Sequence, residues 1–256
     1  MNTVVDLKGR AVLVTGGTKG IGAVIARTFL LAGADVMVCG RNEPEALPEA
    51  DGRSARFLPA DIRDAAQASA LVERTAEQLG GLDVLVNNAG GSPDADSATV
   101  SPRFVERIVS LNLLAPFYVA QPANKIMQAG NGGSIINIGS VSGIDPQPGT
   151  AAYSAAKAGL LMFSKALAME WAPKVRVNHI TTGLVMTEAA AHNYGQDGGA
   201  STAELIPMRR MADPQDVANA CLYLASDLSA YVTGADLAVH GGGEVPARYL
   251  VKQQQS

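Results

Sequence analysis

Short apolar runs alternate with segments of helical periodicity along most of this chain, and that alternation limits the folds open to it. The runs are short enough to be single strands, and they lack the polar alternation of a strand with one face in water. Apolar strands separated by helices favour a parallel sheet covered on both faces. The sequence therefore predicts an α/β fold with a single doubly wound parallel sheet. Its strands are expected at residues 11–14, 35–39, 54–60, 82–86, 133–138, 175–180 and 236–239.

Helices are predicted between these strands. Ser101 and Asp213 are residue types that cap helix starts, and each is followed by a proline suited to the first helical turn. Residues 42–56 contain three helix breakers, so a short or broken helix and a loop are expected there. The longer helices are expected at residues 21–33, 65–79, 102–127, 150–171 and 214–224.

Length and composition exclude several classes of protein. The 256 residues favour one domain over residues 1–243, with a tail at 244–256 that is mobile or docks on a neighbouring subunit. A net charge of −4 without a basic run argues against nucleic acid as a partner. No apolar run approaches the roughly 18 residues of a membrane span. Cys39 and Cys221 are far apart in the sequence, which fits a reducing cytoplasm better than a disulfide framework.

A glycine-rich turn, Thr15-Gly16-Gly17-Thr18-Lys19-Gly20-Ile21-Gly22, follows the first strand. Glycine permits unusual backbone angles and lets the chain approach a ligand closely. The helix that follows offers unpaired N–H groups and the positive end of its dipole to a pyrophosphate. A glycine turn alone is weak evidence, but its position between the first strand and the first helix predicts a nucleotide site.

The end of the second strand indicates which nucleotide. About 20 residues after the glycine turn, where an acidic residue would hold the ribose hydroxyls of NAD(H), the chain has Gly40-Arg41. Lys19 adds a second cation within the turn. Because arginine makes forked hydrogen bonds to phosphate, NADP(H) is predicted over NAD(H). The alternative is that Arg41 is a solvated loop charge.

Tyr153 and Lys157 are four residues apart in an alanine-rich helical segment, so they share one helix face. A phenol loses its proton near pH ~10. An ammonium beside it favours the phenolate, which makes the phenol a usable general acid and base. Ser140 lies at the end of the preceding apolar run and can donate to the same substrate oxygen. The alternative is an ordinary exposed tyrosine and lysine.

Taken together, these motifs identify a resemblance to the short-chain dehydrogenase/reductase family over residues 8–243. The motifs are the glycine turn, Asn87-Asn88-Ala89-Gly90, Asn112, Ser140 and Tyr153-x3-Lys157. The resemblance implies a Rossmann-like fold and a catalytic tetrad of Asn112, Ser140, Tyr153 and Lys157. Tyr153 would exchange a proton with the substrate oxygen, Ser140 would polarise that oxygen, and Lys157 would hold the nicotinamide ribose. Tyr153 and Lys157 would therefore belong to the cofactor-binding residues as well.

The resemblance also implies further cofactor contacts. Asp61 and Ile62 would flank the adenine, Asn88 would lie at the adenosine ribose, and Ala89 and Gly90 would also contact the cofactor. Gly183, Val185 and Thr187 would lie at the nicotinamide, with Val185 and Thr187 at its carboxamide. The chain departs from the family pattern at Thr182-Gly183, where the family usually has Pro-Gly, so a less rigid turn is expected there.

Pro116 lies four residues after Asn112 and has no N–H, so it cannot donate to the Asn112 carbonyl. The sequence therefore predicts that this carbonyl holds a water that links Lys157 to solvent. The alternative is a proline that only kinks a long helix.

The expected activity is NADP(H)-dependent interconversion of a small carbonyl compound and a secondary alcohol. A 3-oxoacyl-[acyl-carrier-protein] reductase is the alternative within the class, and it requires a basic docking patch. The cations available for that patch are Lys125, Lys174, Arg209 and Arg210. A catalytically silent NADP-binding sensor or scaffold is the alternative from another class. The resemblance implies a homotetramer or homodimer. No metal site is expected, because the three histidines lack ligand spacing.

Overall fold

The apolar runs form a seven-stranded parallel sheet in the computed structural model, which describes residues 5–188 and 199–243. The order of its strands is β5-β2-β1-β6-β7-β8-β9. The strands are β1 (Ala11–Thr15), β2 (Asp35–Gly40), β5 (Arg56–Pro59), β6 (Val84–Asn87), β7 (Gly133–Ile138), β8 (Val175–Thr182) and β9 (Asp236–Val239). The α/β fold predicted from the sequence is confirmed.

The strand order reverses between β1 and β6. The chain builds outward from β1 through β2 to β5, then returns to the other side of β1 and builds outward through β6 to β9. The loops after β1 and β6 therefore diverge and leave a crevice at the carboxyl edge of the sheet. Ligands of open α/β sheets bind at such a reversal.

Helices cover both faces of the sheet. The first helix and the seventh pack together on one face, whereas the second, fourth and fifth cover the other. The helices are α1 (Gly20–Leu31), α2 (Ala65–Leu79), α3 (Pro102–Val109), α4 (Ala115–Ala129), α5 (Ala151–Trp171), α6 (Ala200–Glu204) and α7 (Pro214–Ala225).

Successive side chains of each central strand enter two separate cores. In β1, Val12 and Val14 join the core beneath α1 and α7, while Leu13 joins the core beneath α2 and α4. All five residues of β1 are buried. Burial on both faces explains why the strands read as continuous apolar runs.

The expectation of a short or broken helix within residues 42–56 is wrong. A two-stranded antiparallel hairpin, β3 (Glu49–Ala50) and β4 (Arg53–Ser54), lies there instead. Asp51 and Gly52 connect its strands with φ angles of 52° and 70°. An Asp-Gly pair that takes positive φ at both positions is a strong hairpin signal, and it overrides the weak helical pattern. Because residues 53–54 belong to this hairpin, the third sheet strand begins at Arg56.

The long helix expected at residues 102–127 is divided into α3 and α4. Ser110–Leu114 forms a π-helical turn between them, in which the Ala115 N–H donates to the Ser110 carbonyl five residues back. Pro116 lies directly after this turn. Since proline has no N–H to close an α-helical bond with Asn112, the wider turn accommodates the break without ending the helix.

Both predicted helix caps are present. The Ser101 hydroxyl accepts from the Phe104 N–H at 3.2 Å, and Asp213 forms a reciprocal capping box with Asp216. None of the helices within the described ranges is both long enough and apolar enough to cross a bilayer. The tail at 244–256 lies outside the described residues.

Phe29→Ala is expected to lower the free energy of unfolding by about 3–5 kcal/mol, because Phe29 is fully buried between α1 and the sheet and alanine leaves a cavity. Urea titration followed by circular dichroism measures the change. Leu31→Ala is the control, since Leu31 ends the same helix and is 66% exposed, and its cost is expected within about 0.5 kcal/mol of zero. Equal costs would contradict the packing described here.

Candidate active site

The glycine turn between β1 and α1 is shaped by close backbone approach. A Cβ on Gly22 would lie 2.3 Å from the Gly16 carbonyl oxygen, so no other residue fits there. Gly16 and Gly20 have φ angles of 62° and 54°, which disfavour side chains. No side chain caps the start of α1 at Lys19. The N–H groups of the first helical turn are therefore available to an anion.

Asn88, directly after β6, supports this turn. Its side-chain amide donates to the carbonyls of Thr15 and Gly16 at 3.0 and 3.2 Å. The Asn88 and Ala89 N–H groups both donate to the Thr15 hydroxyl. These bonds tie the ends of β1 and β6 together at the strand reversal and hold the glycine turn in place.

A cleft of about 790 Å³ opens at the strand reversal. Its volume lies in the range of small-molecule sites. The predicted cofactor residues that line it are Gly16, Lys19, Gly20, Ile21, Gly22, Arg41, Asp61, Ile62, Asn88, Ala89, Gly90 and Thr187. Gly17 and Thr18 belong to the same turn but do not line the cleft, and a Cβ on Gly17 would meet the Val38 side chain.

Four cations border the cleft: Lys19, Arg41 and Arg63, and Arg107 on the far wall. Arg63 binds Asp61 through two nitrogen–oxygen contacts, of which Nε–Oδ1 measures 2.8 Å. The Arg63 hydrogen bond, aided by the charge of Arg41, holds the pKa of Asp61 below its usual value. The Asp61 carboxylate therefore neutralises Arg63 and leaves Lys19 and Arg41 to attract an anion.

Sequence reasoning missed Arg63, although it lies two residues after Asp61. It also missed the far wall of the cleft, because α3 reaches the cleft only through tertiary packing. That wall includes Phe104, Arg107, Ile108 and Leu111.

Lys157 is buried on α5, with 4% of its surface exposed. Its Nζ donates to the carbonyl oxygen of Ile138, the last residue of β7, at 2.8 Å. Burial lowers the pKa of Lys157 to about 8. The same Nζ lies 5.7 Å from the centre of the Tyr153 ring. The structure thus brings together the pair that the helical spacing predicted, with the lysine inside the protein.

Asn112 lies in the π-helical turn, where it binds the loop after β6. Its Oδ1 accepts from the Gly91 N–H at 2.8 Å, and its Nδ2 donates to the carbonyls of Gly91 and Ile108 at 3.0 Å. A Cβ on Gly90 would lie 2.8 Å from Asn112 Oδ1 and 3.3 Å from Lys157 Nζ. Gly90 lines the cleft as well, so it joins the cleft to the Tyr153–Lys157 pair.

Ser140 begins the turn that follows β7. Its hydroxyl oxygen accepts from the Ser142 N–H at 3.2 Å. A Cβ on Gly143, at the end of this turn, would lie 2.9 Å from the Ala158 nitrogen of α5. The turn is therefore pressed against the helix beside Lys157, which brings Ser140 to the same end of the sheet as Tyr153.

The residues that follow β8 lie near the cleft, but only some of them line it. The backbone of Gly183 packs against His240, and the Val185 side chain is buried in the core beneath α7. Thr187 lines the cleft, whereas Gly183 and Val185 do not. The Thr182 hydroxyl donates to the Gly139 carbonyl at 2.9 Å.

The residues present fit a nicotinamide dinucleotide. The glycine turn offers backbone N–H groups to a pyrophosphate, Lys19 and Arg41 offer positive charge, and Gly90 in the cleft lies next to Lys157. Helix start, cations and phenol thus lie in the order that such a cofactor requires.

The described histidines and Cys39 do not belong to the group formed by Tyr153, Lys157, Ser140 and Asn112. His179 is buried in β8 and pairs with Asp236 at 2.8 Å. Burial raises the pKa of the Cys39 thiol to about 11, which makes it an inert packing residue. His192 and Tyr194 lie outside the described residues. Within the described ranges no cluster of histidine, cysteine and carboxylate side chains has the arrangement of a metal site.

The chain is similar to known proteins over most of its length. Residues 16–244 match the family model described as enoyl-(acyl carrier protein) reductase. The chain is 36% identical to the 3alpha-hydroxysteroid dehydrogenase of Mediterraneibacter gnavus over 244 residues, which cover 92% of this chain and 97% of that protein. It is 35% identical to a 3-oxoacyl-[acyl-carrier-protein] reductase of Chlamydia trachomatis, over 92% of this chain and 98% of the relative.

A solved structure shows the same likeness in three dimensions. The crystal structure of a putative short-chain alcohol dehydrogenase from Sinorhizobium meliloti superimposes with a TM-score of 0.86 at 38% identity. The match covers 93% of this chain and 98% of that one. The likeness therefore spans both the glycine turn and the Tyr153–Lys157 helix.

Lys157 is expected to make stability depend on pH in a defined direction. The folded chain releases the Lys157 proton near pH 8, whereas the unfolded chain holds it to about pH 10.5. Between these values the unfolded state binds more protons, so the free energy of unfolding rises with pH. We expect wild type to gain up to about 3 kcal/mol relative to Lys157→Met across this window.

Urea titrations at stepped pH measure this gain. Lys165→Met is the control, because Lys165 is an exposed lysine on the same helix. Parallel pH profiles for wild type and Lys157→Met would show that the ammonium is not buried.

Proposed function

Because the chain belongs to the short-chain dehydrogenase/reductase family, we propose that it interconverts a ketone and a secondary alcohol with NADP(H), using Tyr153 as the general acid and base. The observation that supports this most strongly is the buried Lys157 ammonium, 5.7 Å from the Tyr153 ring centre and next to Gly90, which lines the cleft. A surface lysine would be screened by water, but a buried one acts on the phenol through a poorly screening medium.

Each proposed catalytic residue has a separate task. The cofactor, when bound, supplies or accepts the hydride. Tyr153 donates a proton to the carbonyl oxygen during reduction and accepts it during oxidation. Ser140 donates a hydrogen bond to that oxygen and polarises it. The positive charge of Lys157 favours the phenolate form that remains after reduction.

Asn112 is proposed to organise the proton path. Its side chain fixes Gly91 through paired hydrogen bonds, which keeps the loop at Gly90 against Lys157. The missing N–H of Pro116 supports the prediction that the Asn112 carbonyl holds a water connected to Lys157. Through that water the proton spent by Tyr153 would be replaced from solvent.

The preference for NADP(H) over NAD(H) rests on charge. Lys19 and Arg41 border the cleft at its adenosine end, beside Asp61 and Ile62. The acidic partner that would repel a ribose phosphate is absent from the end of β2, and the Asp61 carboxylate is bound by Arg63. We infer that Arg41 binds a phosphate on the adenosine ribose.

A 3-oxoacyl-[acyl-carrier-protein] reductase is the second candidate, favoured by the 35% identity to such an enzyme. The cations proposed for carrier docking do not form one patch. Lys174 precedes β8 and binds the carbonyl of Gln128, whereas Arg210 lies near the other end of the sheet, where Asp216 binds it. The wide separation of Lys174 and Arg210 favours a free ketone over a carrier that needs all four cations in one place. A panel of ketones, alcohols and 3-oxoacyl thioesters, assayed with NADPH and NADH, separates these candidates.

We also propose an oligomeric state and a cellular location. A homotetramer or homodimer is supported by the exposed Met162 and Met169 on α5, which are 64% and 86% exposed. A cytoplasmic location remains a prediction from the two separate, buried cysteines. A silent NADP-binding sensor or scaffold is disfavoured because such a protein has no use for a buried lysine beside a phenol.

Tyr153→Phe is expected to bind NADPH as wild type does and to lose turnover by about 100-fold or more, because it removes the proton donor and leaves Lys157 and the glycine turn in place. Fluorescence titration measures binding, and absorbance of the reduced nicotinamide measures turnover. Tyr223→Phe is the control, since Tyr223 lies on α7, away from the cleft. Full turnover by Tyr153→Phe would exclude the proposed mechanism.

Arg41→Ala is expected to weaken NADPH binding about tenfold and to change NADH binding less than about twofold, because only NADPH carries the extra phosphate. Calorimetric titration with each cofactor measures both changes. Arg27→Ala is the matched control, an exposed arginine on α1 outside the cleft. An equal loss for NADPH and NADH would contradict the role given to Arg41.

A further inference from the structure

Gly139, the residue directly before Ser140, is held by β8 from three directions. Its N–H donates to the Ile180 carbonyl at 2.8 Å, which extends the pairing of β7 with β8. Its carbonyl accepts from the Thr182 hydroxyl at 2.9 Å. The space where a side chain would begin is filled by His179, whose Cε1 and Nε2 atoms lie 2.1 Å from an ideal Cβ on Gly139.

His179 is itself fixed. Its Nδ1 pairs with the Asp236 carboxylate of β9 at 2.8 Å, and the Thr181 hydroxyl donates to the same carboxylate at 2.8 Å. His179 is 1% exposed. The fixed imidazole therefore occupies the space behind Gly139. Glycine is required at this position because any side chain would clash with the imidazole, and its φ angle is not unusual.

The hydroxyl bond stands at the position where this chain departs from the family pattern. A proline at position 182 would fix its own φ but has no hydroxyl to donate. Thr182 instead connects two turns that are 43 residues apart in sequence, the one that begins with Gly183 and the one that carries Ser140. Thr182 is 6% exposed, so water does not compete strongly for its bond to Gly139.

We propose that Thr182 is a positioning residue for Ser140, acting through its hydroxyl bond to the Gly139 carbonyl. The inference rests on the proposed function, since it concerns the serine that polarises the substrate oxygen. The absence of proline at position 182 predicts a less rigid turn there. The hydrogen bond from the Thr182 hydroxyl to the Gly139 carbonyl instead holds this turn against the turn that carries Ser140. Without the tie, the Gly139 carbonyl loses a partner and the Ser140 hydroxyl moves away from the substrate oxygen.

Thr182→Val tests the proposal, because valine keeps the shape and removes the hydroxyl. We expect kcat to fall about tenfold, with the Kd for NADPH within about twofold of wild type, because a small displacement of a polarising group slows chemistry more than binding. Thr182→Ser keeps the hydroxyl and is expected to restore most of kcat. Thr75→Val is the matched control, since its buried hydroxyl also donates to a backbone carbonyl, that of Leu71 at 2.7 Å, on the distant helix α2.

A double-mutant cycle distinguishes action through Ser140 from action through the cofactor turn. In a Ser140→Ala background, Thr182→Val is expected to lower the single-turnover rate by less than about twofold, because the group that it positions is already absent. An equal loss in both backgrounds would overturn the proposal, as would a Thr182→Val enzyme with unchanged kcat.

Hydrogen exchange tests the tie without relying on catalysis. Thr182→Val is expected to speed amide exchange about tenfold in a peptide covering residues 139–143, and Thr75→Val to leave it unchanged. Unchanged exchange in Thr182→Val would overturn the proposal even in an active enzyme. If wild type turns over none of the substrate panel, the proposed function fails, while the exchange result still decides whether Thr182 holds the Ser140 turn.

Discussion

The bond between the Lys157 ammonium and the Ile138 carbonyl is the contact on which the rest of the site depends. A buried charge is costly unless it is bound, and this one is bound at 2.8 Å to the last carbonyl of β7. The bond fixes α5 at the carboxyl edge of the sheet and thereby fixes Tyr153 one helical turn away. Gly90 and Gly143 are small because the loop after β6 and the turn after β7 must both approach this lysine closely.

Cofactor binding and proton transfer are joined by the strand reversal. The loops after β1 and β6 separate there, and Asn88 holds the glycine turn against β6. The same loop continues through Gly90 to Gly91, which Asn112 binds. One continuous stretch of backbone, from Asn88 to Gly91, therefore connects the glycine turn with Asn112 and Lys157, and under the proposed function it would join the cofactor site to the site of proton transfer.

Much of this architecture could be predicted from the sequence, because its signals are local. The apolar runs reflect burial on both faces, the glycines at 16 and 20 reflect positive φ angles, the glycine at 22 reflects backbone crowding, and the Tyr153–Lys157 spacing follows from helix geometry. The hairpin at residues 49–54 is not predicted, because the prolines before it favour a broken helix. The Asp51-Gly52 pair is nevertheless a local hairpin signal.

Other features could not be predicted, because they arise from contacts between distant segments. The wall of the cleft formed by α3 and the Thr182–Gly139 bond depend on which elements pack together. The pairing of Arg63 with Asp61 is local, but its place beside Arg41 depends on the pairing of β2 with β5. A missing proline at position 182 is readable from the sequence, while the hydroxyl bond that takes its place requires the register of β7 on β8.

In the proposed mechanism, the Tyr153 phenol beside the buried Lys157 ammonium delivers a proton to the carbonyl oxygen as the carbonyl carbon is reduced. The most direct test is the single-turnover reduction of a ketone in H2O and D2O, with NADPH carrying deuterium at the transferred position. We expect both labels to slow the same step in the wild-type enzyme. A rate that responds to the cofactor label and is unchanged in D2O would contradict it, because the proton would then not move with the hydride.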